Sequence, residues 1–415
     1  MSPTPRAALL LGAIALATLV VPVAAAAIAF AIAAGAIVLD ALAVRRPPSL
    51  ERDLPRLLSR GVPAPLRLEL TTRTPGRARL RQASLPDVIV APAESDGRLD
   101  ALVTGRRRGR HVLPRPAVRL VGPLGLGCRH HRVGEDAEVL VYPDLVTAFR
   151  LAVAVRRGRF RDPGNLPRGP LGLGTEFESV RDYLPDDDVR QVNWRATARL
   201  GRPMSNQYRL ERERDVVCVL DCGRLMAAPL GALTRLDATV DAATAVAAVA
   251  DEVGDRCGLI AFDGELRRRV PPARRNAKPV VRALFDLEPS PVESDYELAF
   301  RSVGEAKRAF VLVLTDLLEE SAARPLVEAV PILARRHAVV VASVEDTDLA
   351  ATLAAEPATP RDVYAASVAL DVLAARTRVV RRLRHAGADV LEAAPDRLAA
   401  ACVAAYLRAK AFARL

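Results

Sequence analysis

The stretch Val216-Val217-Cys218-Val219-Leu220-Asp221 decides the fold of the C-terminal half of this chain. A short apolar run that ends in an acidic residue is typical of a strand buried on both faces, as in a parallel sheet covered by helices. Ligands of such sheets bind at the carboxyl ends of the strands, and Asp221 falls at that end. The stretch therefore predicts an α/β sheet with a candidate site beside Asp221.

The same alternation of strands and helices continues downstream to the end of the chain. It implies a mostly parallel sheet with helices on both faces. Asp316 follows another apolar strand, so we expect it to join Asp221 at the strand ends. The predicted strands are Gly258–Phe262, Ala309–Thr315, Ala338–Val344 and Ala388–Leu391, and the predicted helices are Asp237–Val253, Pro325–Arg335, Asp362–Arg384 and Leu398–Ala413.

Upstream of this α/β region, charged residues of both signs alternate with aromatic ones. Residues 174–199 read Gly-Thr-Glu-Phe-Glu-Ser-Val-Arg-Asp-Tyr-Leu-Pro-Asp-Asp-Asp-Val-Arg-Gln-Val-Asn-Trp-Arg-Ala-Thr-Ala-Arg and contain the single tryptophan of the chain, Trp194. Such charges form bidentate pairs that fix a segment in one conformation, and arginine stacks on aromatic rings. Two interpretations stay open, docking of a partner or clamping of the neighbouring domains. The clamping interpretation predicts that Trp194 is substantially buried against the α/β region.

This signature segment resembles the family called domain of unknown function 58, whose pattern is approximately G-x-E-F-x-x-x-R-x-Y-x-x-G-D-x-x-R-x-I-x-W-x-x-x-A-R. Two residues depart from it: Asp186 replaces a usual glycine, and Asn193 replaces a common aspartate. The resemblance extends over essentially the whole chain. The matching residues are Gly174, Glu176, Phe177, Arg181, Tyr183, Asp187, Arg190, Trp194, Ala198 and Arg199.

The resemblance implies that the α/β region is a von Willebrand factor A-like domain, a Rossmann-like fold. In that fold a D-x-S-x-S loop, a second-loop threonine and a third-loop aspartate hold Mg²⁺. Here the first loop reads Asp221-Cys222-Gly223-Arg224-Leu225, so Gly223 and Leu225 replace the two hydroxyl ligands. Ser294 or Asp295 is expected in the second loop, and Asp316 in the third. We therefore predict a degenerate metal site that binds Mg²⁺ weakly or not at all, with Arg224 as an alternative source of positive charge.

The N-terminus predicts a membrane anchor. No charged residue occurs from Ala7 to Leu39, and Pro22 interrupts this run near its middle. We expect two helices, Ala7–Val21 and Val23–Ala43, that form a transmembrane hairpin. Arginines flank both ends of the run, which places both ends in the cytoplasm under the positive-inside rule. A cleaved signal peptide is the alternative, but apolar sequence continues beyond any cleavage site there.

Between the anchor and the signature, short alternating runs with frequent proline and glycine predict a small β-sandwich. The sequence Gly-Pro-Leu-Gly-Leu-Gly occurs at 122–127 and again at 169–174, and we interpret both copies as turns. The predicted organisation is a hairpin at 1–47, a β-rich domain at 48–150, a linker with the signature at 151–213 and the A-like domain at 214–415.

Composition restricts the function further. The chain has 415 residues and a net charge of +11, yet its basic runs are scattered and lack interleaved aromatics, so attraction to membrane lipid is favoured over nucleic acid. Its five cysteines show no CxxC pair and are expected as free thiols. None of the P-loop, H-E-x-x-H and G-x-S-x-G motifs is present.

The resemblance implies a partner of MoxR-type AAA+ ATPases in a chaperone-like envelope or stress system, together with other membrane proteins. We therefore predict a membrane-anchored scaffold without catalytic residues. A membrane-associated, metal-dependent hydrolase and a basic nucleic-acid-binding protein are the alternatives. The strand-end surface around Asp221, Arg224, Ser294 and Asp316 is the predicted docking surface, with Arg224 and Asp316 as direct ion-pair partners of the ATPase.

Overall fold

The computed structural model describes residues 2–72, 77–160, 176–184, 187, 189–209, 214–304, 308–317 and 320–411; within some of these elements the backbone alone is described. The chain divides into two compact units, Met1–Tyr142 and Pro143–Leu415, here called the N-terminal unit and the C-terminal unit. The finer four-part division remains a prediction.

The N-terminal unit begins with two apolar helices separated by Pro22. Helix α1 spans Pro5–Ala17, and its first turn is capped by the Thr4 hydroxyl, which accepts a hydrogen bond from the Ala7 amide at 3.3 Å. Helix α2 spans Val23–Ala43, as predicted, and packs against α1. Among the described helices, α2 is the one long and apolar enough to cross a membrane, whereas α1 is shorter.

In the described part of this unit, twelve strands form three sheets. The five-stranded sheet has the order β1-β11-β10-β5-β7, the four-stranded sheet β2-β4-β8-β6, and the three-stranded sheet β3-β12-β9. Inward side chains such as Leu68, Leu80 and Val139 bring all three sheets into one aliphatic core. The strands are β1 Ser2–Pro3, β2 Ser49–Asp53, β3 Leu57–Ser59, β4 Ala64–Thr71, β5 Arg77–Arg81, β6 Val88–Ala91, β7 Glu94–Asp96, β8 Arg98–Gly105, β9 Gly109–Leu113, β10 Ala117–Val121, β11 Gly127–Arg132 and β12 Ala137–Tyr142.

The first Gly-Pro-Leu-Gly-Leu-Gly copy, residues 122–127, is more than a turn. It wraps around the carboxylate of Asp40, which is buried in the last turns of α2 and accepts hydrogen bonds from the amides of Leu124, Leu126 and Gly127, each at 2.8 Å. A side chain on Gly122 would lie 2.3 Å from an Asp40 oxygen, so this approach requires glycine. The Thr4 hydroxyl donates to a carbonyl of the same loop. The loop therefore ties the start of α1 to the end of α2.

The C-terminal unit is built on a six-stranded sheet of order β19-β18-β15-β20-β21-β22. Every strand pairs in parallel except the edge strand β19, which is antiparallel. Strand β15 is central, and all seven of its residues are buried, as its apolar sequence predicts. The strands of this unit are β13 Glu176–Asp182, β14 Met204–Arg209, β15 Asp215–Asp221, β16 Pro229–Leu230, β17 Leu233–Thr234, β18 Arg256–Phe262, β19 Leu266–Ala273, β20 Ala309–Leu314, β21 Ala338–Val344 and β22 Asp389–Ala393.

Helices cover both faces of this sheet, as the sequence predicts. One face packs on α3, α5, α6 and α11, and the other on α7, α8 and α10, giving two separate hydrophobic cores. The cysteines at 218 and 222 are buried free thiols. The helices are α3 Leu145–Arg156, α4 Trp194–Leu200, α5 Arg235–Val253, α6 Ala277–Leu284, α7 Tyr296–Val303, α8 Glu320–Ala334, α9 Thr347–Ala354, α10 Pro360–His385 and α11 Leu398–Ala411, and 3₁₀ turns occur at Val189–Gln191 and Arg224–Ala227.

Candidate partner-binding site at the strand ends

Asp221 ends the central strand β15 and is 2% exposed. One carboxylate oxygen accepts hydrogen bonds from the Gly223 amide at 2.8 Å and the Ser294 hydroxyl at 2.5 Å. The other accepts from the Tyr296 hydroxyl at 2.9 Å and the Thr315 hydroxyl at 2.7 Å. Four protein donors therefore compensate this buried charge, which would otherwise be costly in a low-dielectric interior.

Tyr296 and Thr315 belong to this network, although no motif in the sequence indicated their role. Their hydroxyl groups lie 2.8 Å apart, and each contacts the same Asp221 oxygen. Burial raises the pKa of Tyr296, and the neighbouring charge of Asp221 raises that pKa further. The phenol is therefore held neutral and serves as a hydrogen-bond donor rather than as an acid or base near neutral pH.

Of the two predicted second-loop ligands, Ser294 or Asp295, the structure brings Ser294 to Asp221. The Asp295 side chain instead caps helix α7 by accepting from the Leu298 amide at 3.0 Å. The space for a side chain at position 223, however, is already filled. A β-carbon on Gly223 would lie 2.1 Å from the Ser294 hydroxyl oxygen and 2.9 Å from the Val292 carbonyl oxygen. Because Gly223 has no side chain, the Ser294 hydroxyl can occupy this space and donate its hydrogen bond to Asp221.

Asp316 is not free to meet a partner's charge, which corrects the predicted role of this residue. Its carboxylate is buried and lies 3.1 Å from the guanidinium of Arg235, the first residue of helix α5. The other end of that guanidinium donates to Asp346 at 2.7 Å, just after strand β21. The positive charge that compensates Asp316 is thus Arg235 rather than Arg224, and it comes from within the chain.

The predicted metal ligands share one region, but their oxygens are occupied. Asp221 and Ser294 bind each other, while Asp316 binds Arg235 and the Leu317 amide. Across the described ranges, no group of three or more histidine, cysteine, aspartate or glutamate side chains is arranged to hold a metal ion. Weak Mg²⁺ binding remains a prediction, and any ion would have to displace these internal donors.

The outer edge of the site carries an exposed ion pair. Arg224 contacts Glu293 through its Nε atom, and both side chains are largely accessible to solvent. The Arg224 amide also donates to the Val292 carbonyl at 3.0 Å, and the Val292 side chain is exposed beside it. We call Arg224, Val292 and Glu293 the rim of the site. The rim presents a cation, an anion and an apolar group to solvent.

The signature segment forms a separate small structure, in which strands β13 and β14 pair with each other in antiparallel orientation. Arg181 and Asp187 form an ion pair at 2.6 Å, and the Tyr183 hydroxyl donates to the Asp187 carbonyl at 2.9 Å. The Leu184 amide and then Arg181 lower the pKa of Asp187. The alternating charges therefore fix a local turn, as their pattern predicts.

Asn193 has a structural role at the position where the family commonly has aspartate. Its side-chain oxygen caps helix α4 by accepting from the Ala196 amide at 2.9 Å. Its side-chain nitrogen donates to the side-chain oxygen of Asn206 on strand β14 at 2.8 Å, which an aspartate would not do. The other departure from the family pattern, Asp186, lies outside the described residues.

The prediction that Trp194 is buried was wrong. Its side chain is 70% exposed at the start of α4. A two-stranded sheet with a seven-residue helix has too little apolar surface to enclose an indole ring. Leu184, Val189 and Leu200 in the same segment are also exposed.

The remaining signature residues take positions in these elements without joining the strand-end network. Glu176 and Phe177 belong to strand β13 and Arg190 to the 3₁₀ turn, but their side chains lie outside the described part of the structure. Arg199 lies in the last turn of α4 and is exposed. Its positive charge there interacts favourably with the negative end of the helix dipole.

Comparison with known proteins agrees with the resemblance of the signature. The model of a family described as "Protein of unknown function DUF58" matches residues 179–355. The "Uncharacterized protein Mb1516" of Mycobacterium bovis (strain ATCC BAA-935 / AF2122/97) is 27% identical over 247 residues, which cover 54% of this chain and 76% of that protein. The "Uncharacterized protein Rv1480" of Mycobacterium tuberculosis (strain ATCC 25618 / H37Rv) gives the same values.

Proposed function

We propose that this protein, a member of the DUF58 family through residues 179–355, is a membrane-anchored scaffold whose strand-end site binds another protein without a metal ion. The observation that carries the proposal is the internal compensation of both site carboxylates. Asp221 is held by four donors and Asp316 by Arg235. Recognition is therefore assigned to the exposed rim rather than to a coordinated ion.

The order of the sheet supports a von Willebrand factor A-like interpretation of the C-terminal unit. Its first strand, β15, is central, the chain then moves to one side through β18 and β19, and it returns to the other side through β20, β21 and β22. In such doubly wound sheets the crevice lies at the strand ends where the order reverses, between β15 and β20. Asp221 and Thr315 occupy that position. The single core shared by the sheets of the N-terminal unit likewise supports the β-sandwich interpretation.

The rim has the composition of a recognition surface. Exposed arginine is enriched at protein interfaces because its planar guanidinium forms directional hydrogen bonds with carboxylates. Arg224 is already oriented by Glu293, and its backbone is fixed by Val292, so little conformational entropy is lost on binding. We infer that a partner carboxylate binds Arg224 while an apolar side chain covers Val292.

The expected partner is a MoxR-type AAA+ ATPase, an expectation that comes from the family resemblance. A scaffold of this kind requires a position at the membrane, and helix α2 has the length and apolar composition for a span. We propose that α1 and α2 cross together as a hairpin, with both soluble parts in the cytoplasm. The flanking arginines Arg6, Arg45 and Arg46 support this orientation.

Capture of the ATPase by full-length protein in detergent tests the proposal. Arg224→Glu should weaken capture more than tenfold, because loss of an interfacial charge partner costs about 2–5 kcal/mol. Arg324→Glu is the matched control, since Arg324 also forms an exposed pair with a glutamate, Glu328, but on helix α8 and outside the rim. Full capture by folded Arg224→Glu would refute the assignment of the rim.

The double variant Arg224→Glu with Glu293→Arg separates local structure from recognition. It restores an ion pair within the rim but exchanges the positions of the two charges. If the pair only stabilises the loop, the double variant should recover capture. If the rim contacts the partner, capture should remain weak even though the melting temperature recovers.

A further inference from the structure

A cavity of about 660 Å³ lies in the N-terminal unit at the base of the two apolar helices. Its walls come from the Thr4–Arg6 start of helix α1, from the loop at 122–125 and from the outer face of strands β5 and β10. The cavity therefore lies at the point where α1 leaves the β-structure.

The cavity is lined by one carboxylate, Asp96, and by four arginines, Arg6, Arg77, Arg79 and Arg119. The register of the sheet places Arg79 directly opposite Arg119 on neighbouring strands. Like charges at directly opposed positions are destabilising; Arg79 also has Asp96 opposite it on strand β7, and a further anion between Arg79 and Arg119 would relieve the remaining repulsion.

Most of this positive charge has no partner within the described residues. Arg79 is paired with Glu94 at 2.7 Å, but no described carboxylate forms an ion pair with Arg6, Arg77 or Arg119. The Nε atom of Arg119 is buried and makes no hydrogen bond. A buried donor without an acceptor is costly, so the guanidinium of Arg119 is not fully compensated within the described residues.

We propose that this cavity binds the phosphate of an anionic phospholipid headgroup. Arginine recognises phosphate through charge-assisted, bidentate hydrogen bonds, and clusters of arginine beside a membrane helix bind anionic headgroups. The N-terminal end of α1 borders the cavity and adds the positive end of its dipole.

The lipid assignment rests on the proposed membrane anchoring of α1 and α2. If these helices insert, the cavity lies at the level of the headgroups, with the apolar surface of α1 above it for the acyl chains. Leu9 and Leu16 of α1 are both exposed on that helix. A soluble phosphate would use the same arginines but would have no reason to require these apolar groups.

The test uses full-length protein in nanodiscs of equimolar phosphatidylcholine and phosphatidylglycerol, and native mass spectrometry identifies the lipid that stays bound after release. The wild type should retain phosphatidylglycerol preferentially. Arg119→Gln and Arg77→Gln should each reduce this retention roughly fivefold, because one arginine near an anionic surface contributes about 1 kcal/mol. Arg132→Gln is the control, since Arg132 is exposed on β11 of the same sheet but does not line the cavity.

Two further arms separate the possible failures. Resistance of the protein to alkaline extraction from membranes tests anchoring alone, and a protein that is extracted overturns the proposed membrane function. An anchored protein that retains both lipids equally, or retains phosphatidylglycerol equally in wild type and Arg119→Gln, overturns the headgroup site. Complete displacement of the lipid by millimolar inorganic phosphate would assign the site to soluble phosphate and also overturn the lipid assignment.

Discussion

Replacing Arg235 by leucine tests how the strand-end site compensates its buried charge. The guanidinium and the Asp316 carboxylate are each only 3% exposed and lie 3.1 Å apart. Arg235→Leu leaves Asp316 buried without its cation, which costs about 3–5 kcal/mol. For a unit of this size, each kcal/mol lowers the melting temperature by about 2–4 °C, so we expect a decrease of roughly 10 °C.

Calorimetry of the full-length protein in detergent measures this decrease in the transition of the C-terminal unit. The double variant Arg235→Leu with Asp316→Leu should recover most of the loss, because an apolar pair replaces a buried ion pair at little net cost. Arg324→Leu should change the melting temperature little, since it removes an exposed pair worth about 0–1 kcal/mol. A decrease below about 2 °C in Arg235→Leu would contradict the buried pairing.

Three other perturbations test further parts of the structure. Trp194→Ala should leave the melting temperature unchanged, because the indole is exposed, and a large decrease would show that it is buried. Gly223→Ser should destabilise by about 1–3 kcal/mol through its clash with Ser294 and give no gain in Mg²⁺ affinity by calorimetry; micromolar affinity would refute this. Burial and then Arg336 lower the pKa of His337, whose Nδ1 accepts from the Ala309 amide at 3.2 Å. The folded state therefore binds this proton less readily than the unfolded chain, so stability should fall as pH drops below about 6.5, and His337→Gln should remove that dependence.

The central strands were predictable because each is a short, continuous apolar run. Strand β21 has the predicted bounds, and β15 differs by one residue. Strand β19 was missed because Leu266–Ala273 is rich in arginine and proline, a composition that suits an exposed edge strand and hides its periodicity. Strong burial on both faces therefore makes a strand visible in the sequence, whereas an edge position conceals it.

The candidate site was predictable only where its residues follow strands. Asp221 and Asp316 could be placed at the strand ends, but Arg235 lies 81 residues from Asp316, and no local pattern links the two. The one available signal was that Arg235 is the single basic residue of the alanine-rich helix α5. The burial of Trp194 was predicted wrongly because the hydrophobicity of a side chain indicates only its tendency to be buried. Burial also requires neighbouring apolar residues to cover the side chain, and these are not visible in the sequence around Trp194.

The binding of Asp40 by the loop at 122–127 has a consequence for biosynthesis. The first of its amide donors, Leu124, follows Asp40 by 84 residues. At a synthesis rate of about 5–20 residues per second, the ribosome needs roughly 4–17 s to reach that donor. During this interval the Asp40 carboxylate at the end of α2 lacks these three amide donors. For the proposed hairpin, this means that the two helices meet the membrane before the loop that ties them together has been translated.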